Sequence, residues 1–498
     1  MVILERGENM KEIKKELTEQ EILEFISNDR TSEKKRNARI GQRYYEGDHD
    51  IKNYRLFYYN ANGEIEEDTT RSNIKISHPF FTELTDQEVQ YMMSGEGGFM
   101  KSDIPELQNE LDEYFNENED FQSELYDTLT GTVTKGFDYM YAYKNKDDRT
   151  SFMNADSLGV IEVRAKDTQC NCDFVIYWYI DKIVKDNKKI KKIQVWNDEQ
   201  VWYYIQEEEG KLILDECEKI NPKPHTIYKK GDKEQLYYEN YGMIPFFRLD
   251  NCKKQWSSLK PIKDLIDDYD LMSCGLSNNL QDAQEYLVVV NGFQGDNMEE
   301  LMQNIKTKKH IGVDDDGGVE FKTVAIPYEA RQVKLGLDEM NIYRFGMGFN
   351  SAQVGDGNIT NVVIKSRYAL LDLKCNKLEI KLKQFLRKLL KPVLKEINER
   401  LSTDYQQKDV YIEFEREVMT NASDNAIIEK TKADTDLVKI NTLLSLAQTL
   451  DNETIVQSIC EVLEINYEDI KDKLPEQKTE EDLLQEAENE LNGVGVNE

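Results

Sequence analysis

The chain is poor in the residues from which catalytic and metal sites are built. Its four histidines, His49, His78, His225 and His310, stand apart from one another. Its seven cysteines, Cys170, Cys172, Cys217, Cys252, Cys274, Cys375 and Cys460, include one CxC but no CxxC, and no histidine lies at zinc-finger spacing from them. Zinc-ribbon and disulfide-scaffold classes are thereby excluded, and free thiols in a reducing cytoplasm are expected. There is no Walker loop, Gly-rich dinucleotide turn, nucleophile elbow or H-E-x-x-H pair. Neither an enzymatic activity nor a cofactor is expected. No apolar run approaches the about 20 residues that a membrane span needs, so no membrane partner is expected. MVIL at the N-terminus meets Glu5 at once, which predicts no signal peptide and an intracellular protein.

Positive charge is also in short supply. Lys and Arg number 64 against 96 Asp and Glu, a net charge of −32. Such a surface repels phosphates and argues against tight wrapping of DNA. It suits a protein that stays soluble when crowded, or an acidic wall past which a polyanion moves without sticking. With 39% hydrophobic and 32% charged residues over 498 positions, the chain is too apolar for wholesale disorder and long enough for roughly two to four domains.

Taken in order, Thr18 and Glu21 form a capping box ahead of Ile22, Leu23, Phe25 and Ile26. Lys34, Lys35, Arg36, Arg39 and Arg43 follow as one basic stripe, read as a solvated helix face or a binding patch. Gly47 ends that helix. Asp48, His49 and Asp50 resemble a metal cluster by composition, but three adjacent residues on a turn do not readily converge on one ion. Residues 73–77 read as a strand end before a helix from Phe80 to Met93. Residues 105–135 read as one amphipathic helix. At Gly136 the period changes to two, and 137–143, 159–165, 174–180, 192–197 and 201–206 predict one antiparallel meander with aromatic cross-strand pairs. A helical stripe from Ile262 to Ala283 comes next. Its Asp264 with Asp267 or Asp268 offers paired carboxylates, the basis of a rival reading as a metal-dependent nucleic-acid enzyme. Residues 289–327 form an α/β island in which Asp314–Gly318 reads as a hairpin tip between strands. Tyr328–Phe345 is helix again, stopping at Gly346 and Gly348. Residues 410–417 predict a late strand that completes an earlier sheet. Helices follow over 436–450 and 453–463, and an acidic tail after Pro475.

The stretch from Gly357 to Leu401 dominates the chain. It opens as a loop around Gly355 and Gly357 and becomes the longest helical pattern present. Tyr368, Leu371, Leu378, Leu382, Phe385 and Leu389 form one stripe. Leu370, Leu373, Ile380, Leu386, Leu390, Leu394 and Ile397 form a second, so most of the circumference is expected to be packed. From Ile364 to Leu401 eleven Lys and Arg stand against four Asp and Glu. Pro392 is placed to kink the helix or end its first section.

Several stretches resemble, in order, the SPP1-type family of tailed-bacteriophage portal proteins. They are Tyr44-Tyr45-Glu46-Gly47-Asp48-His49-Asp50-Ile51; Asn73-Ile-Lys-Ile with Tyr91-Met-Met-Ser-Gly95; Gly136-Phe-Asp-Tyr-Met-Tyr; Gly242-Met-Ile-Pro-Phe-Phe with Asn251, Ile262–Tyr269, Ser273 and Asn278; and Gly357-Asn with Ile364-Lys365. The likeness covers residues 40 to 400. Thr360-Asn361-Val362-Val363 departs from the family's small residues, which implies a stiffer joint between loop and helix.

The resemblance implies an α+β, mostly helical portal fold in a ring oligomer, usually a dodecamer, at one capsid vertex of the virion and assembled in the host bacterial cytoplasm. It divides the chain into an N-terminal helical segment (1–40), a wing (41–257 and 402–428), two stem helices (258–288 and 328–348), a clip (289–327), a tunnel loop (349–363), a long kinked helix (364–401), a crown (429–475) and a tail (476–498). The implied role is a conduit for double-stranded DNA in packaging and ejection. The implied partners are further copies of the chain, terminase, head-completion and adaptor proteins, and the major capsid and scaffolding proteins. Asn350, Gln353, Asn358 and Thr360 of the loop and Lys365 and Arg367 at the helix head are the candidate DNA contacts. Gly295, Asp314, Asp315 and Asp316 are the candidate clip contacts. A second rival is an α/β adaptor or scaffold of the phage head that forms no ring.

Overall fold

The computed structural model describes residues 16–467 apart from 61, 70, 96, 164–171, 184–187, 230–235, 283–286, 294–300, 302–310, 323–326, 351–360, 417–421, 446–451, 464 and 466. Helices and strands are mixed, an α+β chain. It divides into two compact units, Met1–Asp356 with Lys365–Val418, and Gly357–Ile364 with Met419–Glu498.

The first unit opens with α1 (Glu19–Thr31) and α2 (Glu33–Tyr45). The capping box forms as expected: Thr18 N–H donates to Glu21 Oε2 at 2.9 Å and Glu21 N–H to Thr18 Oγ1 at 3.3 Å. The basic stripe of α2 is neither one solvated face nor one patch. Lys35 is buried, its ammonium donating to the carbonyls of Ser157 and Val160 and facing Asp29 at 3.1 Å. Lys34 lies over the Phe137 ring at 3.9 Å, and burial there lowers its pKa to about 8. A buried ammonium is tolerated because each proton meets an oxygen. The two carbonyls come from Ser157 and Val160, more than 120 residues away, so helix periodicity could not reveal them.

β1 (Phe57–Tyr59) and β2 (Ile65–Glu67) form an antiparallel hairpin exposed at every strand position. After α3 (Phe80–Met92) and β3 (Met100–Lys101), the helix expected over 105–135 proves to be three pieces. They are α4 (Pro105–Leu111), a π-helical turn (Asp112–Asn116) and α5 (Glu119–Lys135). Asn116 leaves the helix to bond both backbone groups of Met100, at 3.0 and 2.7 Å, and Asn118 restarts it by accepting from Phe121 N–H at 3.0 Å.

The expected single meander is two sheets. β4 (Phe137–Lys144) pairs with β5 (Thr150–Ala155), and does not join the strands that follow. β6 (Val160–Val163), β7 (Phe174–Ile183), β8 (Lys189–Trp196), β9 (Gln200–Glu207) and β10 (Leu212–Leu214) make the meander, with β11 (Lys223–Pro224) also on β9. β12 (Thr226–Lys229) and β13 (Leu236–Glu239) pair with each other, and β14 (Phe246–Asp250) returns to β4. The reason is that β4 is buried on both faces. Phe137 and Tyr139 pack with Val160, Val175 and Trp196 of the meander. Met140 and Ala142 pack with Leu125 and Leu129 of α5. A strand coated on both sides belongs in the middle of a layered stack.

α6 (Lys263–Asp282) runs into β15 (Leu287–Phe293), which pairs with β16 (Val313–Lys322) before α7 (Tyr328–Gly346). Asp314–Gly318 is not a hairpin tip. Asn291 pairs with Gly318 and Phe293 with Val313, so Asp314 to Gly317 form a bulge opposite Gly292. Gly292 has φ +69°, and a Cβ on Gly317 would lie 2.6 Å from the Asn291 carbonyl oxygen. Glycines on both strands thus let the chain bulge where composition alone reads as a turn. The helix expected within the island falls almost wholly outside the described residues.

α8 (Asn361–Leu401) continues through Pro392 without ending there. Leu371, Leu378, Leu382, Phe385, Leu386, Leu389, Leu390, Val393, Leu394 and Ile397 are buried against α3, α4, α5 and the β4 sheet. At about 1.5–3 kcal/mol for each fully buried large side chain, this seam is a principal source of the unit's stability. The second stripe is only half covered: Leu370, Leu373 and Ile380 are exposed. The late strand is β17 (Tyr411–Ile412), two residues paired with β3. Beyond it Arg416 pins the segment to α8 through Asp372 at 2.6 Å and through Glu379. In the second unit α9 (Ala422–Ser445) and α10 (Asn452–Val462) pack on each other, with Ile455 and Cys460 buried.

Candidate functional site

Two features meet near α6 and α7: a buried joint that fixes the helices, and the base of the loop that precedes α8. The joint's apolar part is Tyr44, Phe81, Leu84, Leu259, Ile262, Ile266, Ile342 and Tyr343, drawn from α2, α3, the turn before α6, α6 and α7.

Its polar part begins with residues 72–78. They run along α6 and, among the described residues, pair with no strand, contrary to the strand-end expectation. Their amides donate instead to side chains of the helix: Ser72 to Asp282 Oδ1 at 3.3 Å, Ile74 to Asn278 Oδ1 at 2.6 Å, Ile76 to Cys274 Sγ at 3.2 Å and His78 to Asp270 Oδ1 at 3.0 Å. The periods explain the match. Two extended residues advance about 6.6 Å and four helical residues about 6.0 Å, so every second amide meets every fourth side chain.

Asp270 anchors this series and is fully buried. His49 Nδ1 lies 2.6 Å from Oδ2, and His78 Nδ1 lies 2.7 Å from Oδ1. The other His49 nitrogen faces the Tyr44 carbonyl at 3.2 Å. Both His49 nitrogens therefore face oxygens. Burial pushes the Asp270 carboxyl up, but hydrogen bonds from His49 and His78 outweigh it and hold it below the ordinary range. His49 turns inward while Asp50 turns outward to Arg43 at 2.5 Å and Lys263 at 2.7 Å, so Asp48, His49 and Asp50 do not converge on one point. Nor do the carboxylates of the enzyme reading stand ready for a cation. Asp267 accepts from Lys263 at 2.6 Å and from the Tyr44 hydroxyl, and Asp268 accepts from Lys334 at 2.5 Å. Among the described residues no group of three or more His, Cys, Asp or Glu is arranged to hold a metal.

The loop base is built from three elements. α7 ends with Met347 in the left-handed region at φ +57°, and Gly348 N–H returns to the Tyr343 carbonyl at 3.0 Å. Gly346 and Gly348 lie against Leu84; a Cβ on Gly346 would come within 2.7 Å of its methyl. The Gln87 carboxamide then grips the backbone of Phe349 twice, accepting its N–H at 2.9 Å and donating to its carbonyl at 2.8 Å. The Phe349 ring stacks on Tyr368 of α8, centroids 5.1 Å apart and planes 18° apart, and Tyr368 lies 5.6 Å from Tyr91. The two ends of the segment 350–367 are thus fastened together. Beneath them Lys374 pairs with buried Glu88 at 2.9 Å, and burial pushes the neighbouring Cys375 thiol up to about 12.

Of the candidate contacts, Asn350 lies just past this clasp and donates to Glu339 of α7 at 2.9 Å. Lys365 and Arg367 lie in the first turns of α8, their side chains outside the described residues. Gln353, Asn358, Thr360 and Gly295 also lie outside them. Asp314, Asp315 and Asp316 occupy the β16 bulge and are exposed. Sequence reasoning missed Gln87, which carries no local signal. It also missed the polar series Asp270, Cys274, Asn278 and Asp282, which a search at four-residue spacing would have found.

Among the described residues no helix is long and apolar enough to cross a membrane. The family model described as phage portal protein, SPP1 Gp6-like, matches residues 23–481. The chain is 29% identical over 351 residues to the portal protein of Bacillus phage SPP1, covering 70% of this chain and 67% of that protein. It is 30% identical over 193 residues to the portal protein of Clostridium phage phiCD119, covering 38% of this chain and 42% of that protein. The chain therefore belongs to the SPP1 Gp6-like family of phage portal proteins.

Proposed function

We propose that the chain forms a closed dodecameric ring at one vertex of the phage capsid, through which double-stranded DNA enters during packaging and leaves during ejection. Family membership carries this reading. The α6–β15 and β16–α7 pairs support it, because two packed helices with a small sheet at one end suit a stem (258–288 and 328–348) tipped by a clip (289–327). The fastened base at Phe349 and Tyr368 supports a tunnel loop over 349–363, of which 361–363 already belong to α8, followed by the long helix (364–401). Residues 41–257 with 402–428 form the wing in this reading, and 429–475 the crown. Asn350, Gln353, Asn358, Thr360, Lys365 and Arg367 face DNA. Gly295 and Asp314 to Asp316 meet terminase and then the head-completion proteins. ATP hydrolysis belongs to the separate motor. An acidic wall with few cations holds a duplex weakly enough for it to slide.

Electron microscopy of the purified chain at several salt concentrations tests the proposal. The expected result is rings whose hole admits a duplex, roughly 20 Å across. Monomers alone under every condition, and in expressed capsids, would overturn it. The lysine-paired state of Asp267 and Asp268 further predicts no cleavage of nucleic acid with Mg²⁺ or Mn²⁺.

A further inference from the structure

The β1–β2 hairpin is an oddity within the first unit. Phe57 pairs with Glu67, Tyr58 with Glu66 and Tyr59 with Ile65. Strand side chains alternate and cross-strand partners share a face, so Glu64 and Glu66 lie on one face of the ribbon, while Phe57, Tyr59 and Ile65, with Glu67 beside them, form the opposite, largely apolar face. That face is 60%, 73% and 64% exposed at these three positions. An isolated two-stranded hairpin is marginal in water unless something covers it. The ribbon is also acidic. Arg55 is paired with Glu67 at 3.2 Å, while Glu64 and Glu66 are bonded, among the described residues, by the uncharged Asn60 and Tyr58.

Elsewhere in the same unit a feature of opposite character lies open. Two adjoining cavities of about 820 and 700 Å³ run between α1–α2 and the outer surface of β7 and β8. Their apolar lining includes Tyr177, Trp178 and Ile180. Arg30, Arg36, Arg39, Lys189 and Lys191 line them as well and make no ion pair among the described residues. Asp156, Glu208 and Glu209 also reach the walls, but Asp156 is bound to Lys135 at 2.7 Å. The hairpin face and the groove are both exposed, so the hairpin does not fill the groove of its own chain.

We propose that the β1–β2 hairpin of each copy seats in the groove between α1–α2 and β7–β8 of the next copy. Phe57, Tyr59 and Ile65 meet the apolar floor, and Glu64 and Glu66, on the opposite face of the ribbon, meet the arginines and lysines of the groove walls. The two surfaces differ, so each copy offers one and receives the other. That is a heterologous contact, the kind that closes into a ring when its rotation permits. The proposal rests on the ring reading and names a seam of that ring.

The test places the photo-crosslinker p-benzoylphenylalanine at Tyr59 in the full chain, mixes isotopically light and heavy copies, and maps the products after irradiation. The expected products join Tyr59 of one copy to residues around Trp178, Ile180 or Arg39 of another. Lys191→Glu or Arg36→Glu should lower their yield several-fold, and Glu64→Lys with Glu66→Lys in the same chain should restore it. Either groove substitution suffices, so misfolding of one leaves the test intact. Rings that form normally while Tyr59 crosslinks only within its own copy, or to another surface, would overturn the seam and leave the ring standing. Absence of rings in the unsubstituted chain would overturn the ring reading itself, and with it the seam.

Discussion

Asp270 shows how much rests on single side chains in this molecule. It accepts from His49, from the His78 ring and from the His78 backbone, with its own carboxylate fully buried. Asp270→Asn replaces one of the two accepting oxygens with a donor and leaves a histidine bond unmade, at a cost of about 1–3 kcal/mol. A fall in the urea midpoint of the purified chain checks this. The pH dependence follows from the lowered carboxyl. Its contribution is complete above the ordinary value of 3.8 and disappears as pH falls through the lower folded value. The substituted chain should therefore start less stable at neutral pH and lose less than the original below about pH 4. Glycines supply a second contrast. A Cβ on Gly41 would overlap the Thr134 carbonyl where α2 crosses α5, whereas one on Gly47, at φ +73°, would meet nothing within 4 Å. Gly41→Ala should cost about 1–3 kcal/mol through forced separation of the helices. Gly47→Ala should cost about 1–2 kcal/mol through backbone strain alone. Melting temperatures of the two variants, with distance-sensitive labels on α2 and α5, separate the causes.

At the scale of elements, the extended segment 72–78 behaves as a strand whose partner is a helix. Asn278→Leu removes the acceptor for the Ile74 amide and leaves a donor unsatisfied, at about 1–3 kcal/mol. Hydrogen exchange should quicken at 72–78 and stay unchanged in the meander. This scale also shows what could be read in advance. The capping box of α1 was legible because its two partners lie three residues apart, and the main stripe of α8 because its repeat is local even though what covers it is not. Three readings failed because partners were remote. Lys35 finds its oxygens at Ser157 and Val160, β4 takes β14 as neighbour, and Asp314–Gly318 bulges against Gly292. The exposed Leu370, Leu373 and Ile380 belong to the same lesson: a helical stripe shows what seeks cover, and leaves open what provides it. For the candidate site, the glycines at the end of α7 and Tyr368 were in view, but the Gln87 grip came from α3 and could not be.

For the whole molecule, charge is the governing quantity. Each copy carries −32, so assembly brings like charges together. Their long-range repulsion is screened over about 10 Å at 0.1 M salt and about 30 Å at 0.01 M. The ring fraction in sedimentation velocity should rise as salt increases across this range. A fall would mean that direct ion pairs outweigh the overall repulsion. The joint of Phe349, Tyr368 and Gln87 has a consequence at this scale too. Once both ends of the intervening segment are held by the surrounding fold, its length is nearly free to change. Doubling a closed loop adds only about 0.6 kcal/mol of closure entropy. Chimeras carrying longer or shorter segments between Asn350 and Asn361, where α8 begins, should melt within a few degrees of the parent while differing in DNA packaging. What passes through the ring could then be altered in evolution, or by design, without renegotiating how the ring is made.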